Sequence, residues 1–347
     1  MFKRIFDSMY HIDLNAKKIE RKNIGEGDLD EYIMDLLQNI VNLPDSRHYT
    51  FESDNTEVKN LIDNIILEIL EGNGVQDYFS YSDKIAERLL RKELYAQEKY
   101  AHFTSLQKGS LIQSLVEYND ELIYLISKVE HESFLNAEDL VKQIGLPYEK
   151  KALKISIIKF TADYEIIDII VFDSNKRISQ YWVKDFLELN EKNSDEKNTS
   201  SAFKAVDLVL SRKLKKSSPT DYTILRNNLI GFFRTQSEFV FENMINTVFG
   251  DYEPEKPEVV DMEKIKEEIY KLPENNIFDK RFTIISKEIK AKIKKVVKIS
   301  EKIDLHLKDH INQLKQVIKS NEKPDGTKVI EIKVENEQTY EMFKYRE

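Results

Sequence analysis

Between Tyr100 and Ser110 the apolar residues of this chain change period, and that change constrains the fold more than any single motif. Before it, apolar residues recur at helical spacing. Val58, Leu61, Ile62, Ile65, Ile66 and Ile69 share one face of a helix predicted over 55–71, with Gly72 as its terminator. Ile85, Leu89, Leu90 and Leu94 do the same over 81–100. Ile33, Leu36, Leu37 and Ile40 mark a helix over 29–41, capped by Asp28 and followed by Pro44. After the change the period is two. The segments 110–117 and 121–129 flank the turn pair Asn119-Asp120, and 152–160 and 165–172 flank Ala162-Asp163. Ile155, Ile157 and the run Ile166 to Val171 are mostly β-branched, as a pleated, half-buried surface favours. With a short opening strand over Met9–Leu14, these patterns predict an α+β fold. An antiparallel four-strand meander with flanking helices fills an N-terminal domain over 1–190.

The second half reads differently. Trp182 to Leu189 forms an amphipathic turn, and the polar run Glu191 to Ser201 reads as an exposed boundary loop. A helix over 202–216 ends in Arg212, Lys213, Lys215 and Lys216. Ser218-Pro219-Thr220-Asp221 opens a long helix to Phe249, stopped by Gly250, with Leu225, Leu229, Phe232, Phe233, Val240, Met244 and Val248 on its buried face. Asp251 to Pro257 is a linker, and 261–272 a further short helix. Phe282, Ile284, Ile289, Ile293, Val297 and Ile299 read as strand residues, and Ile303 to Lys308 alternates. His310 to Lys319 reads as a short helix or loop. Pro324-Asp325-Gly326-Thr327 is a turn before a last strand over 329–334. The expectation is a C-terminal domain over 200–347, a helical region plus a small basic antiparallel sheet. Its cations, such as Lys308 and Lys333, lie on the face opposite Ile and Leu.

Charge is segregated along the chain. Lys280 to Lys323 holds thirteen Lys or Arg against five acids, a net of +8, while the whole chain carries −9 and the remainder therefore −17. A concentrated positive surface is the electrostatic footprint of a polyanion partner, and an acidic remainder makes that contact directional. Lys290, Lys292, Lys294, Lys295, Lys298 and Lys302 form the densest cluster, with Arg281 and Lys287 beside it. Each is a candidate phosphate contact; the competing reading is a solvated strand face whose lysines block edge-to-edge pairing. Lys outnumbers Arg here, which favours sequence-independent positioning over base readout. For Arg212, Lys213, Lys215 and Lys216 the competing reading is complementation of a helix C-terminus.

Catalytic signals are weak. The chain has no Cys, so disulfides, thiol nucleophiles and thiolate-held metals are excluded. Neither a Gly-rich phosphate loop nor a nucleophile elbow occurs. His306 and His310 fall in different pattern types and do not read as a metal pair, so no metal or cofactor is expected. Asp325, Glu331 and Lys333 have the residue types of a Mg²⁺-dependent nuclease, but Asp325 and Glu331 are separated by an ordinary hairpin turn. Tyr78, Phe79 and Tyr81 could stack on bases or pack before a helix. No apolar run is long enough to span a bilayer, and Lys3 and Arg4 precede no apolar core of a signal peptide. A cytoplasmic, non-enzymatic protein without a membrane contact is expected.

Several stretches resemble the bacterial nucleoid-associated protein family of the NdpA type: Met9-Tyr10-His11-Ile12-Asp13-Leu14, Asn136 to Leu140 with Leu153 to Ile158, Tyr181 to Leu187, Ile277 to Phe282, Ile299 to Leu307, and Asp325 to Ile332. The resemblance covers nearly the full length. It implies a nucleoid-located, homodimeric protein that associates with DNA, with no catalytic signature to carry over. A protein-interaction or regulatory component of a phage-defence pathway is the alternative, with an acidic protein on the basic face.

Overall fold

The structure is a computed structural model that describes residues 3–24, 31, 32, 34, 35, 38, 46–71, 78–119, except 101–108, then 121–136, 138–147, 154–175 and 178–345. The chain divides into two compact units, Met1–Asn193 and Ser194–Glu347. Both are mixed α and β, and the large sheet is antiparallel throughout, as the fold-class reading expects.

The first unit is built on one eight-stranded sheet. Its strands are β1 (Lys3–Asp13), β2 (Lys18–Lys22), β3 (Arg47–Phe51), β4 (Gly109–Tyr118), β5 (Glu121–Glu130), β8 (Lys154–Phe160), β9 (Ile166–Asp173) and β10 (Leu189–Glu191); β6 (Glu132–Leu135) and β7 (Lys142–Gly145) form a separate hairpin. The sheet order is β10-β3-β9-β8-β5-β4-β1-β2. The meander β4-β5-β8-β9 therefore sits at the centre, and segments from the start and end of the unit extend it on both sides. Helices α1 (Glu57–Glu71) and α2 (Tyr78–Tyr100) cover one face. Tyr10, Leu111, Tyr124, Ile126, Ile158 and Val171 of the sheet meet Ile62, Ile65, Ile85 and Leu89 of the helices there. Ile112, Val116, Leu125, Val129 and Ile157 form a core on the other face, with Tyr32. Both faces being covered, β4 and β5 are buried along most of their length rather than at alternate positions. The helix over 29–41 falls mostly outside the described residues, as do Asp120, Ala152 and Gly72; Glu31, Tyr32, Met34, Asp35 and Gln38 are helical. Trp182 anchors a π-helical turn, Tyr181–Phe186, its Nε1 donating to Ser156 Oγ at 3.1 Å.

Two lysines lie inside this sheet. Lys128, Lys154 and Asp173 are consecutive partners across β5, β8 and β9. Lys154 Nζ donates to Asp173 Oδ2 at 2.8 Å and Ser179 Oγ at 2.9 Å, and Lys128 Nζ donates to Glu93 of α2. Burial lowers the pKa of Lys154 and raises that of Glu130 beside it.

The second unit holds α3 (Asp195–Leu214), α4 (Pro219–Thr235), α5 (Phe241–Phe249) and α6 (Met262–Glu274) around a core rich in Phe. Two expectations are corrected here. The polar run 191–201 is not all loop: α3 starts at Asp195, Ser194 Oγ caps it by accepting from Lys197 N, and Asn198 and Thr199 are buried. Asn198 is hydrogen-bonded to Asp279 in both directions, which compensates its burial. The long helix is also not continuous. It stops at Thr235, and β11 (Glu238–Val240) pairs with β12 (Arg281–Thr283) before α5 begins.

Beyond β12 the chain is less strand-rich than expected. Ile289 and Ile293 are four residues apart and both buried, and they lie in consecutive helical turns, Ser286–Ile289 and Lys290–Ile293. The small basic sheet is realised as two separate ribbons: β13 (Lys295–Lys298) with β14 (Asp304–Leu307), and β15 (Ile318–Glu322) with β16 (Lys328–Ile332). Gly326, at φ +82°, closes the second ribbon in a conformation that glycine adopts without penalty.

Candidate nucleic-acid interface

The eight candidate cations fall into two groups. Arg281 stands apart: it is buried in β12, and its Nε donates to Glu238 Oε1 at 2.8 Å, which pairs its charge within the β11–β12 ribbon. Lys292 is half-buried, with Nζ donating to the hydroxyl of Ser200 on α3. By contrast Lys287, Lys290, Lys294, Lys298 and Lys302 are exposed. Among the described residues no carboxylate comes within 4 Å of Lys290, Lys294, Lys295, Lys298 or Lys302, and Glu288 reaches Lys287 only at 4.0 Å.

Lys295 is the junction of the cluster. Its Nζ stands 5.1 Å from the centroid of the Tyr222 ring on α4. Burial, then the nearby cations Arg226 and Lys215, lower its pKa, with Asp207 opposing. Lys215, from the second basic segment of the sequence, is thus close to Lys295. Its neighbours Arg212 and Lys213 both pair with Glu268 of α6, whose one charge offsets one of the two.

Arg226 was not singled out from the sequence. It lies beside the apolar stripe of α4, and its buried guanidinium reaches the backbone of Lys292 and Ile293. Nη2 donates to the carbonyl of Lys292 at 2.6 Å, Nη1 to that of Ile293 at 3.3 Å, and Nε to Asp207 Oδ2 at 3.3 Å. These bonds hold the backbone where the helical turn hands over to β13, which fixes where Lys294 and Lys295 emerge. A charged residue next to Leu225 and Leu229 was the available signal.

β13 alternates, but its cations are on both faces. Lys295 pairs with Leu307, and Val297 with Leu305, on one face; Val296 with His306, and Lys298 with Asp304, on the other. A groove of about 610 Å³ opens between the start of α4, β13–β14 and β15, with Lys295, Lys298, Lys315 and Lys319 among its walls. Lys315 is paired with Glu255.

The remaining candidates have structural surroundings. The His310 ring lies against Gly231 of α4, where a Cβ would come within 2.7 Å of it. Among the described residues no three His, Asp or Glu are placed to hold a metal ion. Asp325 sits in the β15–β16 turn with Oδ1 accepting from Thr327 N at 2.9 Å, and Glu331 faces Lys319 across the ribbon. In the first unit, Tyr78 and Phe79 pack on Phe6 at centroid distances of 5.3 and 5.5 Å.

A family model described as nucleoid-associated protein YejK matches residues 7–339. The chain belongs to that family. The match runs through both units and takes in all the candidate cations, in agreement with the resemblance read from the sequence. Among curated proteins none matches the chain. Within the YejK family frame, no described helix is long and apolar enough to cross a membrane.

Proposed function

We propose that this YejK-family protein binds duplex DNA in the nucleoid through the cations that follow Ile289, by docking on phosphates without reading sequence. One observation carries the reading: Lys290, Lys294, Lys298 and Lys302 are exposed, close in sequence and free of carboxylates within 4 Å among the described residues. Their ammonium groups keep a charge that a phosphate can use, and each contact made releases a condensed counterion. The acidic remainder of the chain repels DNA elsewhere and so orients the encounter.

The side chains favour positioning over base recognition. Lysine offers a point charge on a flexible stem, whereas guanine readout calls for the bidentate fork of arginine. Arg281, within the segment, and Arg226, bonded to its backbone, are both buried in structural bonds. The test is anisotropy of a labelled duplex with the Lys294→Glu/Lys298→Glu/Lys302→Glu variant. Affinity should fall at least tenfold at low salt, equally for unrelated sequences. Binding that is unchanged overturns the reading, and loss confined to one sequence overturns its sequence-independent form.

A further inference from the structure

We propose that the groove between the start of α4 and the two C-terminal ribbons receives residues 335–345 of a second copy of this chain. The first observation is a mismatch at the C-terminus. Residues 333–345 are exposed without exception, yet they include Val334, Tyr340, Met342, Phe343 and Tyr345, the last four between 51% and 81% exposed. The segment nevertheless has a defined conformation. Asn336 caps the helical turn Glu337–Met342, its Oδ1 accepting from Thr339 N at 2.9 Å. Six helical residues do not hold together in water by themselves, because nucleation costs more than so short a run returns. The ribbon that carries the segment is no better supported, since isolated two-stranded hairpins are marginal. An apolar surface has to complete both.

The second observation is complementarity. The segment carries Glu335, Glu337 and Glu341 against the single cation Lys344, with its aromatic residues among them. The groove has the opposite character. Ile224, Leu305, Leu307 and Ile318 supply an apolar surface, and Lys295, Lys298 and Lys319 stand around it. A second hollow of about 480 Å³ borders the same ribbon and shares Ser320 and Ile330 with the groove as lining residues. Aromatic side chains on the apolar wall of the groove with carboxylates among the lysines satisfy both kinds of surface, with the apolar part carrying most of the energy.

The third observation selects the copy. Lys333 N donates to Val317 O at 2.8 Å, which ties the start of the segment to the base of its own ribbon. From there residues 335–345 lie outside the groove of their own chain, and none of them lines it. Exchange between two chains fills both grooves with the same pair of surfaces, the self-complementary arrangement of a two-fold dimer. The groove shares Lys298 with the proposed DNA face, while its test contains no nucleic acid, so the two readings fail separately.

The experiment starts with sedimentation velocity of the full chain at tens of micromolar. Twice the chain mass is expected, and the single-chain mass for Tyr340→Ser/Phe343→Ser, whose altered side chains are exposed and support no core. A labelled peptide of residues 335–345 should then bind that variant saturably, at least tenfold more weakly when Lys298→Glu and Lys319→Glu are added. A single-chain mass for the parent protein, or a dimer that survives Tyr340→Ser/Phe343→Ser, overturns the proposal. So does a peptide that fails to bind.

Discussion

The ring of Phe239 lies flat on that of Phe282, centroids 4.4 Å apart and planes 10° from parallel, where β11 and β12 pair. Phe232, Phe233, Phe241 and Phe278 surround Phe239 with centroids 5.7 to 6.5 Å away. This stack accounts for the interruption between α4 and α5. A continuous helix would carry Phe239 past Phe282, and extended backbone at Glu238–Val240 instead brings the two rings face to face.

Phe239→Ala is expected to destabilise the second unit by about 3–5 kcal/mol, the usual cost of emptying an aromatic site in a packed core. Phe239→Leu should cost less, about 1–2 kcal/mol, because much of the volume is kept. Urea unfolding of the full chain, with amide exchange followed in α4 and α5, measures both. Equal costs for the two variants would contradict a packing role.

Lys128 and Glu93 are both fully buried and bonded to each other. Removing one partner strands a charge in the sheet's interior, so Lys128→Met alone should cost about 3–5 kcal/mol. Glu93→Leu made together with Lys128→Met should recover most of that loss, since a well-packed apolar pair replaces the ions. Thermal melts of the two single variants and the double one decide it, and additive losses would rule out the coupling.

Asp221 is the second half of a helix cap: Ser218 Oγ accepts from Asp221 N, and the carboxylate accepts from Ser218 Oγ, Tyr252 Oη and, at 2.7 Å, Glu255 N. Burial pushes its pKa up, but the Ser218, Tyr252 and backbone bonds outweigh it and the net shift is downward. A depressed folded-state value stabilises the fold above the unfolded pKa of about 3.9 and loses that contribution as pH falls through the folded value. Stability of the second unit should therefore decline below about pH 4, and Asp221→Asn should lose stability at pH 7 while flattening the acid limb. Denaturant midpoints between pH 2 and 7 test the slope; an unchanged slope in Asp221→Asn would assign the acid sensitivity to other carboxylates.

Neutralising the free lysines tests the DNA reading quantitatively. Lys290→Ala, Lys294→Ala, Lys298→Ala and Lys302→Ala should each lower the slope of log affinity against log salt by about 0.9 when the residue contacts a phosphate. Arg281→Ala should instead act on stability, because its partner is Glu238. Lys142→Ala, on β7 of the other unit, serves as the control. A salt slope that ignores all four lysines places the phosphate contacts elsewhere.

Much of the fold was legible where neighbours in sequence are also neighbours in space. The six apolar residues from Val58 to Ile69 mark α1 by their spacing alone, and β4-β5 and β8-β9 announce themselves as hairpins. β1, β3 and β10 were less legible as sheet members, because β1 finds β4 about a hundred residues later and β3 sits between β9 and β10. Phe239 fits helical spacing as well as a strand, and only Phe282 decides between them. Asn198 reads as a loop residue until Asp279 arrives to bond it.

The same division runs through the site. Sequence alone determined that positive charge is concentrated between Lys280 and Lys323, and that helices precede a meander, because charge and hydrophobic period are properties of consecutive residues. Tertiary structure decided which charges remain available: Glu238 takes Arg281, Ser200 takes Lys292, and Arg226 sets the backbone from which Lys294 and Lys295 emerge. Those outcomes depend on desolvation and on partners brought in from distant segments, and no local pattern in a chain encodes them.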